Sequence, residues 1–211
     1  QYCLLKGASL SSSDGIFTIG ATTQTGNDQA LIANNSFTNG YNDSNKAPLN
    51  SIYIQSSLSG FESNNITIDN NLFFDNYNLS SSSSGYAINI QSYNSNVTVS
   101  NNSIYKTNTT LSSASNSLYG IYMSNTQASR VLNNYIGGSA PQAGGSPFII
   151  DGIQSNSPTG IYLISMGTVP NQIQGNVITN FDVRNSTSFT GIYLAGSGAV
   201  NVGDTKPNTI G

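Results

Sequence analysis

Apolar residues in this chain come in short alternating runs, and the runs return in phase. Gly15-Ile16-Phe17-Thr18, Ser51-Ile52-Tyr53-Ile54, Ala87-Ile88-Asn89-Ile90, Gly120-Ile121-Tyr122-Met123, Gly160-Ile161-Tyr162-Leu163 and Gly191-Ile192-Tyr193-Leu194 share one form. Its alternation sends Ile52 and Ile54 to one side of a strand and Tyr53 to the other. A second motif keeps step with the first: Asn34-Asn35-Ser36-Phe37, Asn70-Asn71-Leu72-Phe73, Asn101-Asn102-Ser103-Ile104 and Asn133-Asn134-Tyr135-Ile136. Gly175-Asn176-Val177-Ile178 and Pro207-Asn208-Thr209-Ile210 keep its second half. Successive isoleucines of the first motif lie 36, 36, 33, 40 and 31 residues apart. The apolar residues of the second lie 36, 31, 32, 42 and 32 apart. Both series lengthen where AGGSPFIIDGIQSNSPTG intervenes, which reads as an inserted loop. Parallel drift of two motifs at this period predicts a solenoid.

Each repeat reads as three short strands. The first is the Ile-Tyr-Leu segment. The second is Ile66-Thr67-Ile68 or Val97-Thr98-Val99, and the third begins at Phe73 or Ile104. No useful length of helical periodicity appears. The fold class expected is all-β: a right-handed parallel β-helix of about six coils of three short strands, forming one segment over residues 1–211. Stacking the coils ~4.8 Å apart puts like residues above like. Three inward columns follow: Ile16, Ile52, Ile88, Ile121, Ile161, Ile192; Phe37, Phe73, Ile104, Ile136, Ile178, Ile210; and Ile32, Ile68, Val99, Val131, Ile173.

The asparagine pairs lie between the second and third strands. A sharp turn without glycine needs a residue that tolerates the left-handed region, and asparagine does so best. Stacked coil over coil, its amide can donate and accept along the axis as a ladder. Asn34, Asn70, Asn101 and Asn133 are the residues expected to turn the chain and form that structural ladder.

With these motifs the chain resembles the right-handed parallel β-helix repeat proteins of the pectate-lyase-like fold, over roughly residues 15 to 211. It is most similar to Asn/Ser-rich repeats of large bacterial secreted or surface proteins, in which segments like GIYLAGSGAVNVGDTKPNTIG recur. The resemblance implies an extracellular or cell-surface location and leaves function open, since one fold hosts lyases, hydrolases, phage tailspikes, adhesins and inert stalks.

Composition narrows the choice. Only 7% of the residues are charged, against roughly 25% in an average globular chain. Yet 12 Tyr and 8 Phe accompany many β-branched residues, which marks a folded β-rich chain and not a disordered one. Six scattered Lys and Arg form no basic stripe, so nucleic acid is not expected as a partner. No apolar run reaches the ~18 residues of a membrane span. Cys3 is the single cysteine and histidine is absent, so neither a Ser-His-Asp or Cys-His centre nor a His/Cys zinc site can be built from this segment. No cofactor and no metal is expected. The chain opens on Gln1 and stops at Gly211, one residue past a repeated motif, so further repeats or domains of the same chain are expected at both ends.

A β-helix enzyme needs charged groups converging on one strand face, and a glycosidase needs two carboxyl groups ~5 to 9.5 Å apart. Asp69 shares its column with Ala33, Ser100, Leu132 and Gln174. Asp75 lies with Asn39 and Lys106, and Asp14 with Asn50, Tyr86 and Tyr119. Asp151, Asp182 and Arg184 read as loop residues and Arg130 as a second-strand residue. A calcium-dependent lyase wants several carboxylates around the ion, and no such cluster is visible. The eight N-x-S/T sequons, beginning at Asn34, Asn42, Asn65, Asn78, Asn96, Asn101, Asn108 and Asn185, are expected by chance in so Asn- and Ser-rich a chain.

The outward column of the first strand is the sharper feature. It reads Phe17, Tyr53, Asn89, Tyr122, Tyr162, Tyr193. The last five are carbohydrate-contact candidates, flanked by Gln55, Gln91 and Ser124 as hydrogen-bonding groups. Tyrosine offers an apolar ring and a polar tip, which suits a sugar; stacking between neighbouring strands is the competing account. The function expected is a non-catalytic structural or adhesive segment that contacts surface glycans or polysaccharide. A polysaccharide lyase or glycoside hydrolase, or a tailspike-like receptor-binding protein, is the alternative.

Overall fold

A computed structural model describes residues 3–6, 17–20, 28–38, 48–56, 62–76, 84–91, 93–107, 111–112, 117–152, 158–184 and 188–211. All regular structure among them is strand, and every strand pairing is parallel to a strand of a neighbouring repeat. The chain is a parallel β-solenoid of about five turns.

The expected inward columns set the register. In the second sheet Ile32, Ile68, Val99, Val131 and Ile173 pair in sequence, and Val202 extends the column. In the third sheet Phe37, Phe73, Ile104, Ile136, Ile178 and Ile210 do the same, with Leu5 ahead of them. From Phe37 to Ile178 these third-sheet residues are at most 1% exposed, and the Phe37 and Phe73 rings stack at 4.9 Å. Full burial of such a side chain contributes about 1.5–3 kcal/mol, and here almost all of it comes from contact with the coils above and below. A single coil buries little by itself.

The first sheet corrects one coil. Phe17 pairs with Ile52 and Thr18 with Tyr53, so Phe17 belongs to the inward column and not to the outward one. The chain reads Ile16-Phe17-Thr18-Ile19 there, which offers an apolar residue in either register. Ile19 opposite Ile54, 7% exposed, decides between them, because a one-residue slip turns every side chain to the other face. Ile16 and Asp14 lie outside the described residues.

The insertion is also corrected. Residues of the predicted loop form the strand Phe148–Gly152, which pairs with Leu111–Ser112 on one side and Phe181–Arg184 on the other. This fourth sheet has three strands. Phe148 and Ile150 are each 3% exposed, with Ile149 and Asp151 alternating outward. Asp151, Asp182 and Arg184 are therefore strand residues. A five-residue strand flanked by Gly, Pro and Ser carries too short an alternation to stand out from a loop.

The asparagine pairs divide the work expected of one residue between two. Asn34, Asn70, Asn101 and Asn133 take left-handed φ values of 59, 52, 56 and 54°, and so make the turn. The continuous ladder runs one position further on. The amides of Asn35, Asn71, Asn102, Asn134 and Asn176 donate to Oδ1 of Asn71, Asn102, Asn134, Asn176 and Asn208 at 2.9, 2.9, 3.1, 3.0 and 2.9 Å. Each Nδ2 from Asn71 onward donates to a carbonyl of the coil before, as Asn102 does to Ile68 at 3.0 Å. Asn71, Asn102 and Asn134 are 0% exposed. Among the first asparagines, Asn70 donates to Asn34 Oδ1 at 2.7 Å, whereas Asn101 donates to Asp69 and Asn133 accepts from Lys206. The turning residue must point outward, which leaves the inward amide of its neighbour to satisfy buried backbone. A second left-handed corner precedes the second sheet, at Gln29, Asn65, Asn96 and Ala128. No shared residue type marks it in the sequence.

Candidate functional site

The first sheet bends in mid-strand, and the bend creates the outward face. In Leu118–Gln127 both Gly120 and Ile121 are buried while Tyr119 and Tyr122 stand out on either side. Two inward residues in succession break the period of two. Only a small residue fits at the first of them: a Cβ on Gly120 would lie 2.6 Å from the Gly160 carbonyl oxygen and 3.1 Å from two carbons of Ile136. The small residue of the sequence motif thus brings two outward columns side by side. One is Asn50, Tyr86, Tyr119, Thr159, Thr190; the other is Thr18, Tyr53, Asn89, Tyr122, Tyr162, Tyr193.

Five tyrosines form one patch on this face. Tyr122 stacks on Tyr162 at 5.0 Å and Tyr162 on Tyr193 at 4.7 Å. Tyr86 stacks on Tyr119 at 5.0 Å. The columns meet edge to face, Tyr119 with Tyr122 at 5.4 Å and Tyr119 with Tyr162 at 5.5 Å. Stacking between strands is thus realised, and it decides what the face offers. The inner rings turn their flat sides to one another, so the surface is a row of ring edges and phenol hydroxyls. Tyr193, 46% exposed, has no ring stacked on it from the far side among the described residues. Burial pushes the Tyr86 and Tyr162 hydroxyls up, and the neighbouring tyrosines act in the same direction; a hydrogen bond from Ser84 partly offsets this at Tyr86. Both hydroxyls therefore remain donors well above neutral pH.

The other candidates fall elsewhere. Asn89 is 3% exposed; its Nδ2 donates to Asn50 Oδ1 at 2.7 Å and its Oδ1 accepts from Gln91 Nε2 at 2.8 Å. It ties strands together and presents nothing to a ligand. Tyr53 lies at the near end of its column and donates its hydroxyl to Gln55 Oε1 at 2.7 Å. Ser124 is 6% exposed. Tyr86 and Tyr119 are the residues that sequence reasoning missed. Their column was legible beside Asn50, but the mid-strand bend that joins it to the Tyr122 column was not.

Carboxylates serve as rungs between coils. Asp28 accepts from Asn64 N at 2.7 Å, Asp69 from Ser100 Oγ at 2.6 Å and Asp75 from Thr107 N at 2.8 Å; Asp204 accepts from Gln174. Asp151 pairs across from Arg184 and Asp182 across from Ile149. The two acids are diagonal neighbours on one face, with Arg184 forked onto Asp182 Oδ2 at 2.8 and 2.5 Å. The hydrogen bond and charge of Asp182, with Asp151 behind them, push the guanidinium up. Among the described residues no group of three or more His, Cys, Asp or Glu side chains could hold a metal ion.

Lys106 is the unexpected ionisable group. It is 5% exposed, too deep to meet a polymer lying on the surface. Burial pushes its ammonium down, partly offset by Asp75. A depressed lysine pKa means that the unfolded chain holds the proton more tightly. The cost is fully present below the folded pKa and fades as pH rises toward the unfolded value of about 10.4. Lys106→Met is expected to raise stability at pH 7 by about 1–2 kcal/mol, with the gain shrinking toward pH 10. Urea unfolding of both proteins across this range measures it; a gain that grows with pH would contradict the assignment.

In comparisons with known proteins, no family model, curated protein or solved structure matches the chain. Among the described residues no helix is long and apolar enough to cross a membrane.

Proposed function

We propose that this chain is a non-catalytic, structural or adhesive segment of a large secreted or cell-surface bacterial protein, and that it contacts glycans through its tyrosine face. The observation that carries the reading is the patch of Tyr86, Tyr119, Tyr122, Tyr162 and Tyr193, held at about 5 Å intervals on a sheet that cannot rearrange without opening the core. Hydroxyls repeating at the coil spacing suit a polymer whose own hydroxyls repeat. The rings add apolar edge to the contact. Each described carboxylate for which a partner is given above is committed to a structural bond, which favours contact without cleavage. Further repeats or domains of the same chain are proposed to cover both end coils. At the C-terminal end this part is supported by Val202 and Ile210, inward-column residues of the last coil that are 44% and 51% exposed on strands unpaired on their far side among the described residues.

A polysaccharide panel tests the reading. Binding is expected to be weak, and the double variant Tyr122→Ala/Tyr162→Ala is expected to lower it about tenfold, the loss of roughly 1.4 kcal/mol of aromatic contact. Release of unsaturated or reducing sugar would replace this reading with a lyase or hydrolase. Binding that ignores the double variant would retire the tyrosine face.

A further inference from the structure

We propose that Tyr162 and Tyr193 are an oxidative cross-linking site, at which a haem peroxidase using hydrogen peroxide joins the two rings through their ortho carbons. The site lies on the tyrosine face but does not rest on glycan contact. Coupling needs no sugar, and sugar binding needs no oxidant.

Register brings the pair together. Tyr162 and Tyr193 are direct partners on adjacent parallel strands, so both side chains leave the sheet in one direction. Their rings stack at 4.7 Å with planes 20° apart; the other stacked tyrosine pairs, Tyr86 with Tyr119 and Tyr122 with Tyr162, lie at 5.0 Å. Radicals on separate molecules must meet by diffusion. Groups already held in contact, with reacting atoms about 3–3.5 Å apart, gain the effective concentration of an intramolecular reaction. Two further features single out this pair. Tyr193 is 46% exposed, which gives an oxidant access to it. Among the described residues its one ring contact is with Tyr162, so it can pivot out of the stack until the ortho carbons meet. Tyr122 has no such freedom, wedged among Tyr86, Tyr119 and Tyr162, and Tyr86 is held by Tyr119 and Tyr122.

The step balances. Each phenol gives up one electron and one proton and becomes a phenoxyl radical. The two radicals pair their electrons in a new C–C bond between ortho carbons. Each of those carbons then releases its hydrogen as a proton and the oxygen of the same ring takes one up, which restores two phenols. The protein loses two hydrogens in all, and the O–O bond of one peroxide breaks to give two waters. The link joins residues 31 apart in sequence and ties two neighbouring coils covalently, in a fold whose stability resides in the interfaces between coils.

The test oxidises the whole chain at micromolar concentration with a haem peroxidase and hydrogen peroxide, after alkylation of Cys3, which is free and exposed. Trypsin cuts after Lys and Arg but not before Pro207, so Tyr86 falls in peptide 47–106, Tyr119 and Tyr122 in 107–130, Tyr162 in 131–184 and Tyr193 in 185–211. Each stacked pair therefore gives its own joined peptide. The expected product is a monomer lighter by two hydrogens, with dityrosine fluorescence, whose main joined peptide is 131–184 with 185–211. Fragment masses should place the link at Tyr162 and not at Tyr135, the other tyrosine of its peptide. Tyr193→Phe, which keeps the ring and removes the phenol, should abolish that peptide. The proposal is overturned if oxidation yields only linked dimers, if 107–130 joined to 131–184 is as abundant, or if the expected peptide survives in Tyr193→Phe. It is also overturned if no dityrosine forms while N-acetyltyrosine amide couples under the same conditions. The wild-type digest identifies the linked pair by itself, even where the variant fails to fold.

Discussion

Asn102→Ala is expected to remove about 3–4 kcal/mol of unfolding free energy, whereas Asn101→Gly, one residue earlier, should change it by no more than about 0.5 kcal/mol. Asn102 Oδ1 accepts from the Asn71 backbone N–H at 2.9 Å and from Asn71 Nδ2 at 3.0 Å. Its own Nδ2 donates to Ile68 O and Asn134 Oδ1, both at 3.0 Å. Asn71 and Asn102 are both 0% exposed, so no water replaces what alanine deletes. Each buried group left without a partner costs about 1–3 kcal/mol; the change orphans the Asn71 N–H and takes one donor each from the Ile68 carbonyl and Asn134 Oδ1. Asn101, by contrast, is exposed with φ 56°. Glycine takes that conformation freely, and only the outward bond to Asp69 is lost. Since stacked coils are stabilised mainly by their interfaces, a broken rung in the middle of the ladder should also broaden the urea transition. Equal losses in the two variants, or an Asn102→Ala protein within about 1 kcal/mol of wild type, would remove the inner ladder as a principal source of stability.

That pair of variants also marks how far the sequence could be read. Phase between the Ile-Tyr-Leu and Asn-Asn motifs was enough to align the second and third sheets, because each inward column has one apolar residue per coil and no rival register. The first coil failed where a rival existed, at Ile16-Phe17-Thr18-Ile19. Pairing of the asparagines was visible, but which amide turned inward was not. That depends on the left-handed φ of the first residue, which rotates the next side chain into the core. The fourth sheet escaped because Phe148 to Gly152 recurs in too few coils to form a column. Of the candidate face, Tyr122, Tyr162 and Tyr193 were legible as a repeat. Tyr86 and Tyr119 join them only through the bend at Gly120, a consequence of backbone packing that no side-chain period records.

Gly160→Val is expected to cost about 3 kcal/mol or more and to disturb the tyrosine stack at the same time. A Cβ at this position would lie 2.7 Å from the Gly191 carbonyl oxygen and 2.7 Å from Ile178 Cγ2. Neither neighbour yields easily. Gly191 lies in a paired strand and Ile178 is 0% exposed. Overpacking a filled core costs about 1–3 kcal/mol, and valine meets a backbone atom and a core side chain together. Ala87 occupies the same column in an earlier coil, so a Cβ is accommodated where the strands are spaced for it; Gly160→Ala should accordingly cost less than valine. The strand can relieve the clash only by moving outward, and Tyr162 moves with it, away from the 5.0 and 4.7 Å contacts with Tyr122 and Tyr193. Urea unfolding and the near-ultraviolet dichroism of the tyrosines should therefore change together in this variant. In Lys106→Met, away from the first sheet, stability should change while the tyrosine signal stays. A Gly160→Val protein of wild-type stability and unaltered tyrosine dichroism would show that the small-residue column does not set the spacing of the face. The regularity of that face would then need another cause.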